Sequence, residues 1–437
     1  MVPLPRIGFL APVLAAALLV SCATAPFHRV DGVLEQGRYE ESAAALEKNR
    51  SSLYRAGDTI LYYLDKGMLT HYAGLYPDSS RLLEAGERAI EAAYTRSILQ
   101  EAGAYLINDL TRDYAGEDYE DIYTNSFNAL NYYHRGDLDE ALVEIRRMNN
   151  KIRNLADKYG AAVSSLQRKA LEESLPIPAN PQAPSSFNDS ALARYLGMLF
   201  YRARGRDDDA RIDGDYLRLA FANSPALYPH PLPASLDGEL EIPQGMARLN
   251  ILAFAGLSPV KKEQNLRLPI GNRYIKIALP ELVYRPSAVS RVELVFDDGR
   301  RFDLELLENI EAVAAETFKA RKNIIYLRSV IRASLKGVSS AALDSMAGES
   351  EGEASLVFGL LSLGAQIFAE ASEQADLRIS RYFPARAYVG GLTLSPGRYS
   401  FDLIYYNRQG GTLASFRCQD VPVLENTLNL TEVICLK

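Results

Sequence analysis

Side chains that could bind a metal or act as nucleophiles are scarce in this sequence of 437 residues. It contains three cysteines and four histidines, and no histidine stands at metal-site spacing from another histidine or a cysteine. The motifs of serine hydrolases, zinc proteases and phosphate-binding loops are absent as well. The sequence therefore predicts no metal, no cofactor and no enzymatic activity. An envelope enzyme built from dispersed residues remains an open alternative.

Excess positive charge and long apolar runs are also missing from most of the chain. The formal net charge is -7, so no overall positive field exists to attract nucleic acid. After the first 22 residues, no stretch reaches the ~18–20 uncharged residues that a membrane-spanning helix needs. We therefore expect the rest of the chain to be water-soluble and to reach a membrane only through an anchor.

The first residues differ from the rest of the chain. Arg6 precedes an uncharged apolar run over residues 9–20, which is typical of a secretory signal peptide. The run ends in Leu19, Val20, Ser21 and Cys22, and these four residues resemble the bacterial lipobox. The resemblance implies cleavage after residue 21 and acylation of Cys22, which would anchor the chain to a membrane. The alternative is an ordinary signal peptide that ends near a cysteine.

The residue after Cys22 indicates which of the two membranes of a bacterial envelope would hold the anchored protein. Ala23, and not Asp, comes after the cysteine. By analogy with enterobacterial sorting, this favours the outer membrane, with the protein facing the periplasm. Residues 1–22 are then the lipoprotein signal peptide with its lipobox, and residues 23–29 form a short tether.

Residues 30–226 are rich in Ala, Leu, Glu, Arg and Tyr, with apolar residues at helical spacing. Four glycines each end a helical segment, and a small residue follows each one five positions later: Gly37 with Ser42, Gly74 with Ser79, Gly136 with Ala141, and Gly205 with Ala210. Seven residues before the second of these glycines, Gly67 stands where two helices are expected to approach each other. The pattern resembles the tetratricopeptide repeat, a helix–turn–helix unit of about 34 residues. The resemblance implies an N-terminal α-solenoid.

Solenoids of this kind usually bind a partner segment on their concave side. Aromatic residues that could line such a groove are Tyr62, Tyr63, Tyr72, Tyr132, Tyr133, Tyr195 and Tyr201. In the alternative interpretation, these rings pack between the helices with their hydroxyls at the rim.

The second half has the alternation of β-strands. A proline-rich segment at residues 227–246 is predicted as a linker, and residues 247–437 as a β-sandwich-like domain. Predicted strands are 248–254, 274–279, 292–296, 301–306, 394–403, 412–417 and 428–436, with Asp298 and Gly299 in a hairpin turn. Cys418 and Cys435 lie in the last strands, where they could form a disulfide or remain two buried thiols facing different ways.

A helical hairpin is predicted to interrupt this domain at residues 310–375. Its first helix, residues 318–336, carries the basic positions Lys319, Arg321, Lys322, Arg328, Arg332 and Lys336. An almost wholly apolar segment follows at residues 356–368. The pair could lie on anionic lipid or dock a membrane partner. Alternatively, it covers the sheet and turns its basic face to water.

The predicted fold class is therefore α+β and multidomain, an α-solenoid followed by a β-sandwich-like domain with a helical hairpin insertion. This organisation resembles bacterial lipoproteins with tetratricopeptide-like helices and a β-rich C-terminal domain. The resemblance implies a non-enzymatic scaffold that binds a protein partner in the cell envelope, such as a peptidoglycan synthase or an assembly component. A carbohydrate- or peptidoglycan-binding lipoprotein, acting through the β domain, is the alternative.

Overall fold

The computed structural model describes residues 27–99, 112–158, 185–270, 273–349 and 374–437, and a few isolated residues between 164 and 172. The signal peptide with Cys22, the start of the tether and the apolar segment 356–368 lie outside the described residues. Within the described parts, the chain forms ten α-helices and three small sheets. The predicted mixture of helix and sheet is confirmed.

Nine helices precede the first strand in the described part of the chain. They are α1 Phe27–Leu34, α2 Tyr39–Lys48, α3 Arg50–Leu53, α4 Thr59–Tyr72, α5 Tyr76–Leu99, α6 Asp118–His134, α7 Leu138–Lys158, α8 Ala191–Ala203 and α9 Asp207–Asn223. Short 3-10 turns lie at Ala56–Asp58 and Ala234–Gly238. The closest helix neighbours are α4 with α5, α6 with α7, and α8 with α9.

The four predicted glycine turns join these helices. Each glycine has a positive φ, and the Gly74 N–H donates to the His71 carbonyl while the Leu75 N–H donates to the Thr70 carbonyl. This pair of bonds, repeated at the other three glycines, satisfies the last carbonyls of the helix. The small residues five positions later, Ser42, Ser79, Ala141 and Ala210, are all fully buried. The prediction of these four turns is confirmed. It could be made from the sequence because such turns depend on local backbone geometry alone.

The described residues of the second half form two four-stranded sheets and a two-stranded ribbon. The elements are β1 Ala247–Ala255, β2 Val260–Ile270, β3 Arg273–Val283, β4 Arg291–Phe296, β5 Arg301–Asp303, β6 Glu305–Asn309, α10 Ile310–Glu349, β7 Arg386–Leu394, β8 Gly397–Tyr406, β9 Thr412–Val423 and β10 Asn429–Cys435. The sheet orders are β10-β1-β7-β6 and β5-β4-β8-β9, and β2 pairs with β3. Only β1 and β10 run parallel among the described pairs.

Strand β1 is buried on both faces and joins the two halves of the chain. Leu249 and Ile251 point into an apolar cluster shared with the second sheet. Leu252 and Phe254 point the other way, into a cluster built mainly from the helices. The molecule therefore has three layers: helices, first sheet and second sheet.

The proline-rich segment 227–246 is packed against this body. Leu227, Tyr228 and Leu236 are buried and belong to the same apolar cluster as the helices. The segment expected as a linker is thus held in place by its own side chains.

Two strand predictions need correction. The predicted strand 301–306 divides at Leu304, because β5 pairs with β4 in the second sheet while β6 pairs with β7 in the first. Strands β2 and β7 were not predicted at all. None of the described helices is long and apolar enough to cross a membrane.

The close approach of α4 to α5 at Gly67 predicts that a larger residue there destabilises the fold. A Cβ atom at this position would lie 2.6 Å from Leu83 Cδ2. We expect Gly67→Ala to lower the free energy of unfolding by about 1–3 kcal/mol in urea titrations, because the packed helices must shift. Gly32→Ala is the matched control, since no heavy atom lies within 4 Å of its Cβ position, and it should gain about 0.5–1 kcal/mol. Equal effects of the two substitutions would contradict the close packing.

Candidate functional site

The tyrosines proposed to line a partner groove are engaged with the chain itself. Tyr72 is buried and donates to the Tyr382 carbonyl at 2.7 Å, and Tyr133 donates to the Leu430 carbonyl at 3.1 Å. Both bonds hold the helices to the β half. Tyr195 is buried beside Asn250 of β1.

The remaining candidates stay within the helical layer. Tyr62 donates to Glu47 at 2.7 Å and its ring contacts Tyr63, whereas Tyr132 donates to Glu84 at 2.9 Å. Tyr201 is buried beneath the Arg206 guanidinium. The structure therefore uses these tyrosines for packing and for holding its own strands.

The inner side of the helices receives residues 376–383, which we call the docking segment. Asp65 on α4 accepts bonds from the Ser380 hydroxyl and the Arg381 N–H, each at 2.7 Å. Glu120 on α6 accepts from the Ser380 N–H at 2.5 Å and from the Tyr114 hydroxyl at 2.7 Å. Ser380 is fully buried between these two carboxyl groups.

Ion pairs surround this contact. Arg378 bridges Asp58 and Asp376, and Arg381 pairs with Asp31 of α1. Each pair except Arg378–Asp376 joins the helical layer to the docking segment. Lys261 of β2 adds a buried pair with Glu117 at 2.5 Å.

Burial changes the acidity of the two central carboxyl groups. It raises the pKa of Asp65 to about 6, although three hydrogen bonds favour the ionised form. Burial and the charge of Glu117 raise the pKa of Glu120 to about 7. Raised carboxyl pKa values contribute stability at acidic pH that is lost as the pH rises through 6 to 7. Such values also occur in general acids, but here both groups are covered by the docking segment.

A second polar contact joins β10 to α4 and α6. The buried Glu432 carboxylate contacts His71 Nε2 at 2.9 Å and His134 Nε2 at 2.7 Å. His71 Nδ1 lies 2.7 Å from Asn131 Oδ1, and Tyr76 stacks on the His134 ring. Although burial opposes it, the two histidines lower the pKa of Glu432 to about 2. Burial lowers the pKa of His71, but Glu432 more than offsets this effect and raises it overall.

The basic residues of α10 do not share one open face. Lys319 is exposed, and Lys322 and Arg328 are half-buried. Arg321 pairs with Glu117 at 3.3 Å, and Arg332 is buried beside Ser329. The side chain of Lys336 lies outside the described residues. The prediction of a basic face open to water or lipid is thus wrong for Arg321 and Arg332.

No disulfide joins Cys418 and Cys435, which are both free cysteines. Cys418 pairs in register with Phe401 of the second sheet, whereas Cys435 pairs with Ala255 of the first sheet. Their strands belong to different layers, and the thiols take part in the apolar packing between them. The structure thus has two unbridged thiols, of which Cys435 is buried and Cys418 is half-buried.

Helix α9 carries an exposed apolar row that the sequence analysis missed. Ile212, Tyr216 and Leu219 retain 44%, 45% and 49% of their accessible surface. Their spacing places them on one side of the helix. The helix begins with the acidic residues Asp207, Asp208 and Asp209, and its apolar residues alone do not show which of them face a core. This row is the candidate partner surface.

Comparison with known proteins gives no relative. No family model, no curated protein and no solved structure matches the chain. Among the described residues, no group of three or more His, Cys, Asp or Glu side chains could hold a metal ion.

The contact of Glu432 with the two histidines predicts a pH-dependent effect on stability. We expect Glu432→Gln to lower the free energy of unfolding by about 3 kcal/mol at pH 6, because it removes a carboxylate whose pKa of about 2 reflects its attraction to His71 and His134. The loss should shrink as the pH falls from 4.5 towards 2, where Glu432 itself becomes protonated. It should also shrink as the pH rises through the raised pKa of His71, where this histidine loses its proton.

Urea titrations at several pH values measure this difference. Glu84→Gln is the control, because the Glu84 carboxylate accepts the Tyr132 hydroxyl, contacts no histidine and is partly exposed. It should cost at most about 1 kcal/mol. A loss for Glu432→Gln that does not vary with pH would contradict the charged pair.

Proposed function

We propose that the chain is a lipid-anchored scaffold of the bacterial cell envelope, without enzymatic activity, that binds a protein partner through α9. In this proposal the chain is acylated at Cys22, resides in the outer membrane and faces the periplasm. The helices form a tetratricopeptide-like α-solenoid, and the strands form a sandwich-like domain behind it.

The observation that carries the proposal is the exposed apolar row of Ile212, Tyr216 and Leu219. Helix α9 is the last helix of the described series before the strands, and terminal repeats of a solenoid normally present a polar outer face. An apolar row at this position favours a further helix packed against it. The buried titratable groups support a non-enzymatic role, since Asp65, Glu120 and Glu432 all bond to the chain itself.

The charges beside the row indicate which partner fits. The Asp208 and Asp237 side chains are 95% and 79% exposed, and Asp215 lies next to Tyr216. Arg211 and Arg218 form ion pairs with Asp208 and Asp237, respectively. The surface therefore suits an amphipathic helix of an envelope protein, with apolar residues along one stripe and basic residues at its border.

Acylation of Cys22 is tested by metabolic labelling with a palmitate analogue. We expect the wild-type chain to be labelled and to fractionate with the outer membrane. Cys22→Ser should abolish both, whereas Cys418→Ser should change neither, because Cys418 lies within a sheet. Labelling that persists in Cys22→Ser, or an unlabelled wild-type chain, contradicts the anchor.

The partner surface is tested by photo-crosslinking in cells, with a photoreactive residue at position 219. We expect one heterologous protein adduct that disappears when Tyr216→Glu is added, because a charge would break the apolar contact. Position 424 is the control, since Leu424 is equally exposed at 51% but stands alone. An adduct from both positions, a homodimer, or no adduct at position 219 would overturn the assignment to α9.

A further inference from the structure

A cavity of about 420 Å³ opens between the end of α2 and the start of α4. Its walls include the cationic side chains of Lys48, Arg50 and Arg55 and the rings of Tyr54 and Tyr62. The residues carrying positive charge are exposed, whereas both tyrosines are buried and form its floor. The cavity is therefore an open cationic cup with an aromatic base.

The positive charges of this cavity are available to a ligand. Among the described residues, none of the three cationic side chains forms an ion pair, although Arg50 lies 3.8 Å above the Tyr62 ring centroid. The one carboxylate of the lining, Glu47, accepts the Tyr62 hydroxyl and pairs with Lys66 at 3.3 Å. In a chain of net charge -7, three cationic side chains outnumber the single carboxylate of this lining, and this excess favours an anionic ligand. By contrast, Lys319 and Arg321 of α10 are paired with carboxylates.

The position of the cavity in the chain indicates the source of that anion. Tyr54 packs against Phe27, with ring centroids 5.9 Å apart. Phe27 follows Cys22 by only five residues, which can span at most about 18 Å. An acyl chain on Cys22 would therefore hold this cavity near the lipid headgroups.

We propose that the cavity binds the phosphate of an anionic phospholipid headgroup; this inference rests on the lipid anchor proposed above. The guanidinium groups of Arg50 and Arg55 donate paired hydrogen bonds to phosphate oxygens, and Lys48 adds a third positive charge. The aromatic floor packs against the glycerol part of the headgroup. The contact adds to the acyl anchor and fixes the first helices against the membrane surface.

The experiment measures vesicle binding of the mature chain with Cys22→Ser, which carries no acyl group. We expect co-sedimentation with phosphatidylcholine vesicles that contain phosphatidylglycerol, and little with phosphatidylcholine alone. Each basic residue at an anionic surface contributes about fivefold in affinity, so Lys48→Gln, Arg50→Gln and Arg55→Gln together should weaken binding about 100-fold. The three side chains are exposed, so the fold should survive, and thermal unfolding checks that it does.

A control with the same change in net charge separates the cavity from general attraction. Arg81→Gln, Arg88→Gln and Arg398→Gln replace three exposed arginines elsewhere and should leave vesicle binding within about threefold of wild type. Equal losses in the two triple variants would overturn the proposal, and so would the absence of binding to phosphatidylglycerol.

Glycerol phosphate in solution identifies the source of the phosphate. Weak competition, at millimolar concentrations, supports a headgroup held at the membrane surface. Tight binding of glycerol phosphate without binding to vesicles would overturn the membrane assignment. Because the chain used here is not acylated, failure of this test leaves the palmitate labelling of Cys22 unaffected, and the two proposals fail separately.

Discussion

The hydrogen bonds between Ser380 and the carboxyl groups of Asp65 and Glu120 determine how the helices and the sheets meet. Both carboxyl groups are fully covered, and a buried carboxyl group without donors costs several kcal/mol. The helical layer therefore requires the docking segment, and the docking segment requires the helices. Neither half satisfies its polar groups without the other.

Strand β1 reinforces this dependence through apolar packing. One of its faces completes the core between the sheets, and the other, through Leu252 and Phe254, completes the core of the helices. A strand buried on both faces cannot be exposed on one side without losing apolar burial. The chain thus combines two recognisable halves with a shared interior, and we expect the halves to unfold together.

Features that depend on a few neighbouring residues could be predicted from the sequence. The glycines at the four helix turns need a positive φ, and Asp298 with Gly299 closes the β4–β5 hairpin for the same reason. The close helix approach at Gly67 could be predicted for a similar reason, because only a residue without a side chain lets α4 come this near to Leu83. These signals are local, so one sequence is enough to reveal them.

Features that depend on distant partners could not be predicted. Arg321 is basic and helical, and only the fold brings Glu117 beside it. Strand β2 is mostly polar because it lies in a two-stranded ribbon, and β7 contains two adjacent glycines that weaken any strand pattern. The exposed row on α9 could not be predicted either. Apolar residues at helical spacing usually face a core, and the sequence does not show which of them the fold leaves exposed.

The occupied inner face of the helices has a consequence for function. The docking segment and β10 bond to the helices from the β half. If the helices form the proposed solenoid, its partner-binding face is not the one that these segments cover. A partner that used those bonds would have to displace Ser380 and Glu432, and the buried side chains of Asp65, Glu120 and His71 would each lose part of their hydrogen bonding. That exchange costs several kcal/mol before any contact with the partner is made. Binding is therefore favoured on faces that the chain leaves uncovered, namely the apolar row of α9 and the cationic cavity between α2 and α4. These two surfaces differ in chemistry and lie on opposite ends of the described helix series, so the proposed membrane surface and the proposed protein partner would not compete for one groove.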